Sequence, residues 1–140
     1  MDRKRRTRLF IEFASKEVIE MAKEIEESYP VEVIQEPKEG LAMIKVRETA
    51  QNSLFYLGEV LVTETKVRIQ DQVGLGVVKG HKEDLSYALA LADAAFALDI
   101  PLLEKWRPIF IECENKGMEE LAKKRSLIYR TKVDFNMMND

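Results

Sequence analysis

Cysteine is almost absent from this chain of 140 residues: Cys113 is the only one. That excludes an intramolecular disulfide and any multi-cysteine zinc or iron–sulfur site. Histidine is equally scarce, so a Ser-His-Asp or Cys-His constellation would have to use His81. No Walker A loop, no GxGxxG before a helix, no HExxH and no CxxC occurs. No apolar run is long enough to span a bilayer, and no apolar signal-peptide core follows the basic N-terminus. The net charge is only -3, which gives no global electrostatic case for nucleic acid or an anionic membrane. The expectation is one cytoplasmic domain over 1–140, with no metal, no membrane and no nucleic acid as partner.

What the chain does have is a stretch of strand character. From Leu61 the odd positions are Leu61, Thr63, Thr65, Val67 and Ile69, and the even ones include Glu64, Lys66 and Arg68. This alternation predicts a half-buried strand, with Gly58 marking a bulge or a close backbone approach. Val31–Gln35 and Leu41–Glu48 read as two further strands, separated by a turn at Pro37-Lys38-Glu39-Gly40. Thr49–Leu54 reads as a polar loop. A hairpin through Asp71-Gln72 leads into Val73–Lys79, which completes a four-stranded antiparallel meander. A two-residue loop there pairs Arg68 with Leu75 and Val67 with Gly76. Gly74, Gly76 and Val78 then share a face with Val67 and Ile69, and the two glycines leave room for a helix. The other face carries Val60, Val62, Leu75 and Val77 with Lys66, Arg68 and Lys79. It is too apolar for water and too basic for a dry core, as surfaces that meet a partner often are.

Helices flank the sheet in this reading. Asp2 caps a first helix to Phe13, with Leu9, Phe10 and Phe13 as its stripe. Arg3, Lys4, Arg5, Arg6 and Arg8 form either a solvated turn or a grip on phosphate, RNA or an acidic partner. Cations at a helix N-terminus oppose the macrodipole, so a partner carboxylate is expected nearby. Ser15 caps a second helix, Lys16–Glu27, with Val18, Met21, Ala22 and Ile25 inward. The chain from Glu83 to Leu98 is apolar nearly all round, as a buried helix is. A last helical region starts at Pro101, is kinked or restarted at Pro108, and is weakened at Gly117. Cys113 belongs to its apolar face. The apolar residues of the tail, Val133, Phe135, Met137 and Met138, call for a packing partner.

Lys45, Arg47, Lys66, Arg68 and Lys79 either gather into a phosphate-reading patch or stand as solvated strand positions. His81 lies at a strand-to-helix junction, where a ligand contact is sterically easy. The residues by themselves reach an α+β domain with a surface for a partner. They leave open a stand-alone dimeric protein that binds an anionic, phosphorylated metabolite.

A family likeness runs through the same segments. Its residues are Gly40-Leu41-Ala42-Met43-Ile44, Phe55-Tyr56-Leu57-Gly58-Glu59, Val62-Thr63, Val67-Arg68-Ile69, Gly74-Leu75-Gly76, Gly80, Leu89-Ala90-Leu91-Ala92-Asp93-Ala94 and Val133-Asp134-Phe135 with Met137. In this order they make the sequence resemble the PhnG family of phosphonate metabolism, a subunit of the bacterial carbon–phosphorus lyase core complex. The chain departs from the family pattern at His81-Lys82, where Arg-Asp is usual. It departs again at Leu85-Ser86-Tyr87, where His-Ala-Glu is usual, and at Asp71-Gln72 in place of Asp-Gly.

The resemblance implies work alongside the H, I and J subunits, the I subunit most directly, with the L subunit linked functionally. With the H, I and L subunits such a chain displaces adenine from MgATP with an alkylphosphonate, giving a ribose 1-alkylphosphonate 5-triphosphate, and the J subunit cleaves the carbon–phosphorus bond later. MgATP is then a substrate of the complex, and no cofactor is expected on this chain alone. An assembly or site-shaping role follows, with a homo-oligomer as the form of the isolated chain. Ligand-facing candidates are Arg47, Glu59, Lys66, Arg68 and His81. Partner-facing candidates are Val60, Val62, Leu75, Val77, Val133, Phe135 and Met137.

Overall fold

In the computed structural model the backbone is described for residues 2–139 except 48–53, and side chains for 2–43 and 58–128. The chain forms α1 (Arg3–Glu12), α2 (Ser15–Ser28), β1 (Val31–Arg47), β2 (Leu54–Ile69), β3 (Gln72–Lys79), α3 (Glu83–Leu98) and α4 (Leu102–Asn139). The architecture is α+β, with an antiparallel sheet ordered β1-β2-β3. Among the described residues it has three strands, not four. Pro37-Lys38-Glu39-Gly40 does not turn the chain back: β1 runs through it, with register shifts between Val33 and Gln35 and between Gln35 and Lys38. Proline is tolerated here because β1 is an edge strand and the irregular stretch does not need its missing N–H. Part of the expected 49–54 loop lies outside the described residues.

The Gly58 expectation is met by a bulge. Ile44 pairs with Gly58 but Lys45 pairs with Tyr56, so β2 carries one extra residue at this point. Gly58 has φ 153°, where L side chains are rarely found.

The β2–β3 turn falls one residue earlier than expected. Ile69 pairs with Gln72, Arg68 with Val73 and Val67 with Gly74. The register therefore slides by two, and a slide of two keeps every side chain on its face. Thr63, Thr65, Val67, Ile69, Gly74, Gly76 and Val78 all face inward and are buried.

All the helices lie on that inner face. α3 presses on β2 and β3, and α2 packs on the other side of α3. Being the middle layer explains why α3 buries Leu85, Ala88, Leu89, Ala90, Leu91, Ala92, Ala94 and Ala95 around its circumference. Contact with the sheet is backbone-close. A Cβ on Gly74 would sit 2.0 Å from the Ala90 carbonyl oxygen, and one on Gly76 would sit 2.0 Å from that of Ser86. Ser86 is small enough to allow this and polar enough to fasten it. Its hydroxyl lies 2.9 Å from the Gly76 carbonyl oxygen and 2.8 Å from the Thr65 hydroxyl. Buried polar groups are thus satisfied by one another.

α1 is capped by Asp2, which accepts from the Arg5 N–H at 2.7 Å. α2 begins at Ser15 itself, with Ala14 in the N-cap position and no side-chain cap. Its stripe Val18, Met21, Ala22 and Ile25 is buried as expected. α4 is one helix of 38 residues, without a break at Pro108 or Gly117. Gly117 is a packing site: a Cβ there would meet the Phe13 ring at 2.1 Å. Leu103, Trp106 and Phe110 fix the first turns of α4 to the core, and Phe10 meets Phe110 edge-on at 4.7 Å. No single helix among the described residues is long and apolar enough to cross a membrane.

Candidate interaction surface

With every helix on one side, the other face of the sheet is bare among the described residues. Alternation puts Val60, Val62, Glu64, Lys66 and Arg68 of β2 on it, beside Val73, Leu75, Val77 and Lys79 of β3. Val73, Leu75 and Val77 are 53%, 37% and 39% exposed. These apolar side chains sit together, so they form a patch rather than scattered surface residues. Charges frame the patch. Arg68 reaches Glu32 on the facing strand at 3.5 Å, and Lys66 lies 3.9 Å from Glu64. Both pairs are solvent-exposed and contribute little stability. They do reduce the positive field that the sequence alone suggests, because an incoming anion would compete with a carboxylate at each cation.

The ligand-facing candidates do not converge. Lys66 and Arg68 lie on the bare face. Glu59 pairs in register with Met43, and with Leu61 and Thr63 it follows the inward alternation, where it is exposed beyond the helix layer. His81 is also on the inner side, hydrogen-bonded through Nδ1 to Glu39 of β1. The side chain of Arg47 lies outside the described residues. The partner-facing candidates divide similarly. Val60, Val62, Leu75 and Val77 share the bare face, whereas Val133, Phe135 and Met137 lie on the last turns of α4, with side chains outside the described residues.

Behind the face, a network ties the sheet to the start of α3. The Thr63 hydroxyl donates to the Gly80 carbonyl at 2.6 Å and accepts from the Lys82 N–H at 3.1 Å. This sets the path of the His81 loop.

Asp93 is the residue that sequence reasoning passed over. It accepts from Arg3 at 2.6 Å, from Arg6 at 3.2 Å and from the Leu75 N–H at 2.9 Å. One carboxylate thereby joins α1, α3 and the edge of β3. Satisfying that edge N–H also makes β3 a poorer template for a further strand. The signal was available: between Leu85 and Leu98, Asp93 is the only charged residue. Arg5 adds a bidentate pair with Glu114 at 2.6 and 3.2 Å. The carboxylates expected near the N-terminal arginines are therefore on this same chain. Arg6 also lies 4.5 Å from the centre of the Phe96 ring, and burial lowers its pKa despite Asp93.

Arg5, Arg6, Arg107, Phe96 and Phe110 line a cleft of about 480 Å³ between α1 and α4, with Arg107 paired to Asp99 at 2.5 Å. Its arginines already hold carboxylates, which makes the cleft a clasp between helices. Burial, followed by its hydrogen bond to Glu26, pushes the Tyr87 hydroxyl up to about 12. Burial likewise raises the Cys113 thiol, with the carboxylates of Glu17 and Glu112 adding to the effect. No group of three or more metal-ligating side chains is found among the described residues.

A family model described as phosphonate metabolism protein PhnG matches residues 1–139. The chain belongs to the PhnG family. That places it in phosphonate metabolism. A comparison with curated proteins finds none that matches. Of the three positions expected to depart from the family, Leu85 is buried. Ser86 is the fastener of α3 to the sheet. Tyr87 bonds the Glu26 carboxylate.

Proposed function

We propose that this PhnG-family chain is a subunit of the carbon–phosphorus lyase assembly and shapes the site of another subunit. With the H, I and L subunits it takes part in replacing adenine on MgATP by an alkylphosphonate, ahead of the carbon–phosphorus cleavage that falls to the J subunit. In that reaction the C1′–N9 bond of ATP breaks with its electron pair going to adenine, and a phosphonate oxygen forms the new bond to C1′. The product is a ribose 1-alkylphosphonate 5-triphosphate. The chain's part is to dock, to orient the phosphonate and to keep competing water away from C1′.

The observation that carries this reading is the bare sheet face, whose central valine and leucine side chains are one-third to one-half exposed, in a chain matched by the family model over 1–139. Such a face is stable when another protein covers it. The reactive side chains support a non-catalytic part. His81 is engaged by Glu39, and the Cys113 thiol is half-buried against the core with its pKa raised.

The test is reconstitution with the H, I and L subunits, ATP and methylphosphonate. Product should form with this chain and fall to free ribose triphosphate or nothing when it is omitted. Product formation at the same rate without the chain would contradict the proposal. The rival reading, a stand-alone dimer for a phosphorylated metabolite, predicts saturable binding of such a ligand by the chain alone, lost in Arg68→Ala.

A further inference from the structure

α4 is longer than the body it packs on. Leu103, Trp106 and Phe110 are buried, Gly117 holds the Phe13 ring, and Leu121 is half-buried; residues 122–128 are then exposed on every side. The helix nevertheless continues to Asn139. At 1.5 Å per residue, the part from Met118 onward is about 33 Å long. Its face is not that of a solvated helix. Leu121 and Ile128 repeat at seven residues, in line with Leu103, Phe110 and Gly117, so the stripe that enters the core runs on past it. Met118 and Ile128 are 53% and 67% exposed. Amphipathic helices in water owe most of their stability to what covers the apolar face.

Charge identifies the cover. Residues 121–132 contain Lys123, Lys124, Arg125, Arg130 and Lys132 and no acidic residue, in a chain whose net charge is -3. Among the described residues, Arg125 is the one arginine side chain without an ion-pair partner, whereas Arg3, Arg5, Arg6, Arg8, Arg68 and Arg107 all have one; Lys123 and Lys124 beside it have none, as is common for the lysines here. Two copies of this helix side by side would set these like charges against each other.

We infer that the C-terminal part of α4, residues 118–139, is a docking helix that lies in an apolar, carboxylate-lined groove of a partner subunit. Leu121 and Ile128 enter the groove floor, and Lys124 and Arg125 meet its acidic rim. The apolar stripe favours a protein groove over a nucleic-acid backbone, which would use the cations alone. The inference rests on the subunit reading and adds a second contact, separate from the bare sheet face.

The experiment is hydrogen exchange by mass spectrometry on the full chain, alone and co-purified with the H and I subunits. It is paired with affinity measurements on Lys124→Glu/Arg125→Glu and on Ile128→Asp. Peptides from 118–139 should exchange fast in the isolated chain and slow in the complex. Each variant should weaken the complex by about tenfold or more. The charge variant should also flatten its salt dependence while leaving the exchange of α3 unchanged. A complex that forms with 118–139 still exchanging fast overturns the docking helix and leaves the subunit reading standing. Failure of the intact chain to form any complex overturns both. Binding of a single-stranded oligonucleotide that Lys124→Glu/Arg125→Glu abolishes and Ile128→Asp does not would replace the protein groove with nucleic acid.

Discussion

Gly76→Ala tests the packing on which both faces of the sheet depend. The new Cβ would lie 2.0 Å from the Ser86 carbonyl oxygen and 2.6 Å from the Ala90 nitrogen, both of them backbone atoms of α3. Ordinary contact begins at 3.4 Å, so the helix must retreat by roughly 1.4 Å at this point. Retreat stretches the 2.9 Å bond from the Ser86 hydroxyl to the Gly76 carbonyl and loosens Leu89 against the sheet. Overpacking costs about 1–3 kcal/mol, and losing a buried hydrogen bond adds about 1 kcal/mol. The sum is about 2–4 kcal/mol, a large share of a small domain's stability. Urea unfolding followed by circular dichroism measures it. Gly40→Ala is the control, because nothing lies within 4 Å of its added Cβ, and it should shift stability by no more than about 0.5 kcal/mol. A Gly76→Ala protein within about 1 kcal/mol of wild type would show that α3 does not seat on the sheet as described.

Other expectations can be checked alongside. Asp93→Asn removes the counter-charge from the half-buried Arg6 and from Arg3, and should cost about 2–3 kcal/mol; a loss under about 0.5 kcal/mol would deny Asp93 its role as the joint between α1 and β3. Gln70 sits in the turn at φ 55° without being glycine. Gln70→Gly should therefore raise stability by about 1 kcal/mol in thermal melts, and a fall in the midpoint would refute the strain. The Tyr87 hydroxyl, with its pKa raised to about 12, stays protonated in the fold after it would ionise in the unfolded chain near 10. Its contribution is thus full below pH 10 and lost as pH rises toward 12. Absorbance titration at 295 nm should show one late-titrating tyrosine that is missing in Tyr87→Phe.

The helices were legible because their stripes are local. Val18, Met21, Ala22 and Ile25 needed only a period of 3.6 to be read, and the unbroken apolar surface of α3 announced a middle layer. Gly74 and Gly76 were legible too, since two glycines on one face of a strand imply something pressing close. The number of strands was not. Pro37 and Gly40 carry turn chemistry, and only an edge position with register shifts lets a strand pass through them. Pro108 and Gly117 misled for a related reason: α4 accommodates the first on an exposed side, and the second is occupied by Phe13, far away in sequence. The apolar character of the bare face followed from alternation. Its ion pairs did not, because Arg68 meets Glu32 only once β1 is placed in register. Asp93 needed the same tertiary knowledge, although a lone charge in an apolar helix was a visible hint.

The central claim is that the bare sheet face docks onto a partner subunit. Its most direct test is co-purification of the tagged chain with the H and I subunits, comparing wild type with Leu75→Glu/Val77→Glu. These side chains point away from α3, and the Leu75 N–H can still reach Asp93, so unfolding by urea should be nearly unchanged. The account predicts that the wild type recovers both subunits and the double variant recovers at least tenfold less. A double variant that folds and recovers them as well as the wild type would contradict it.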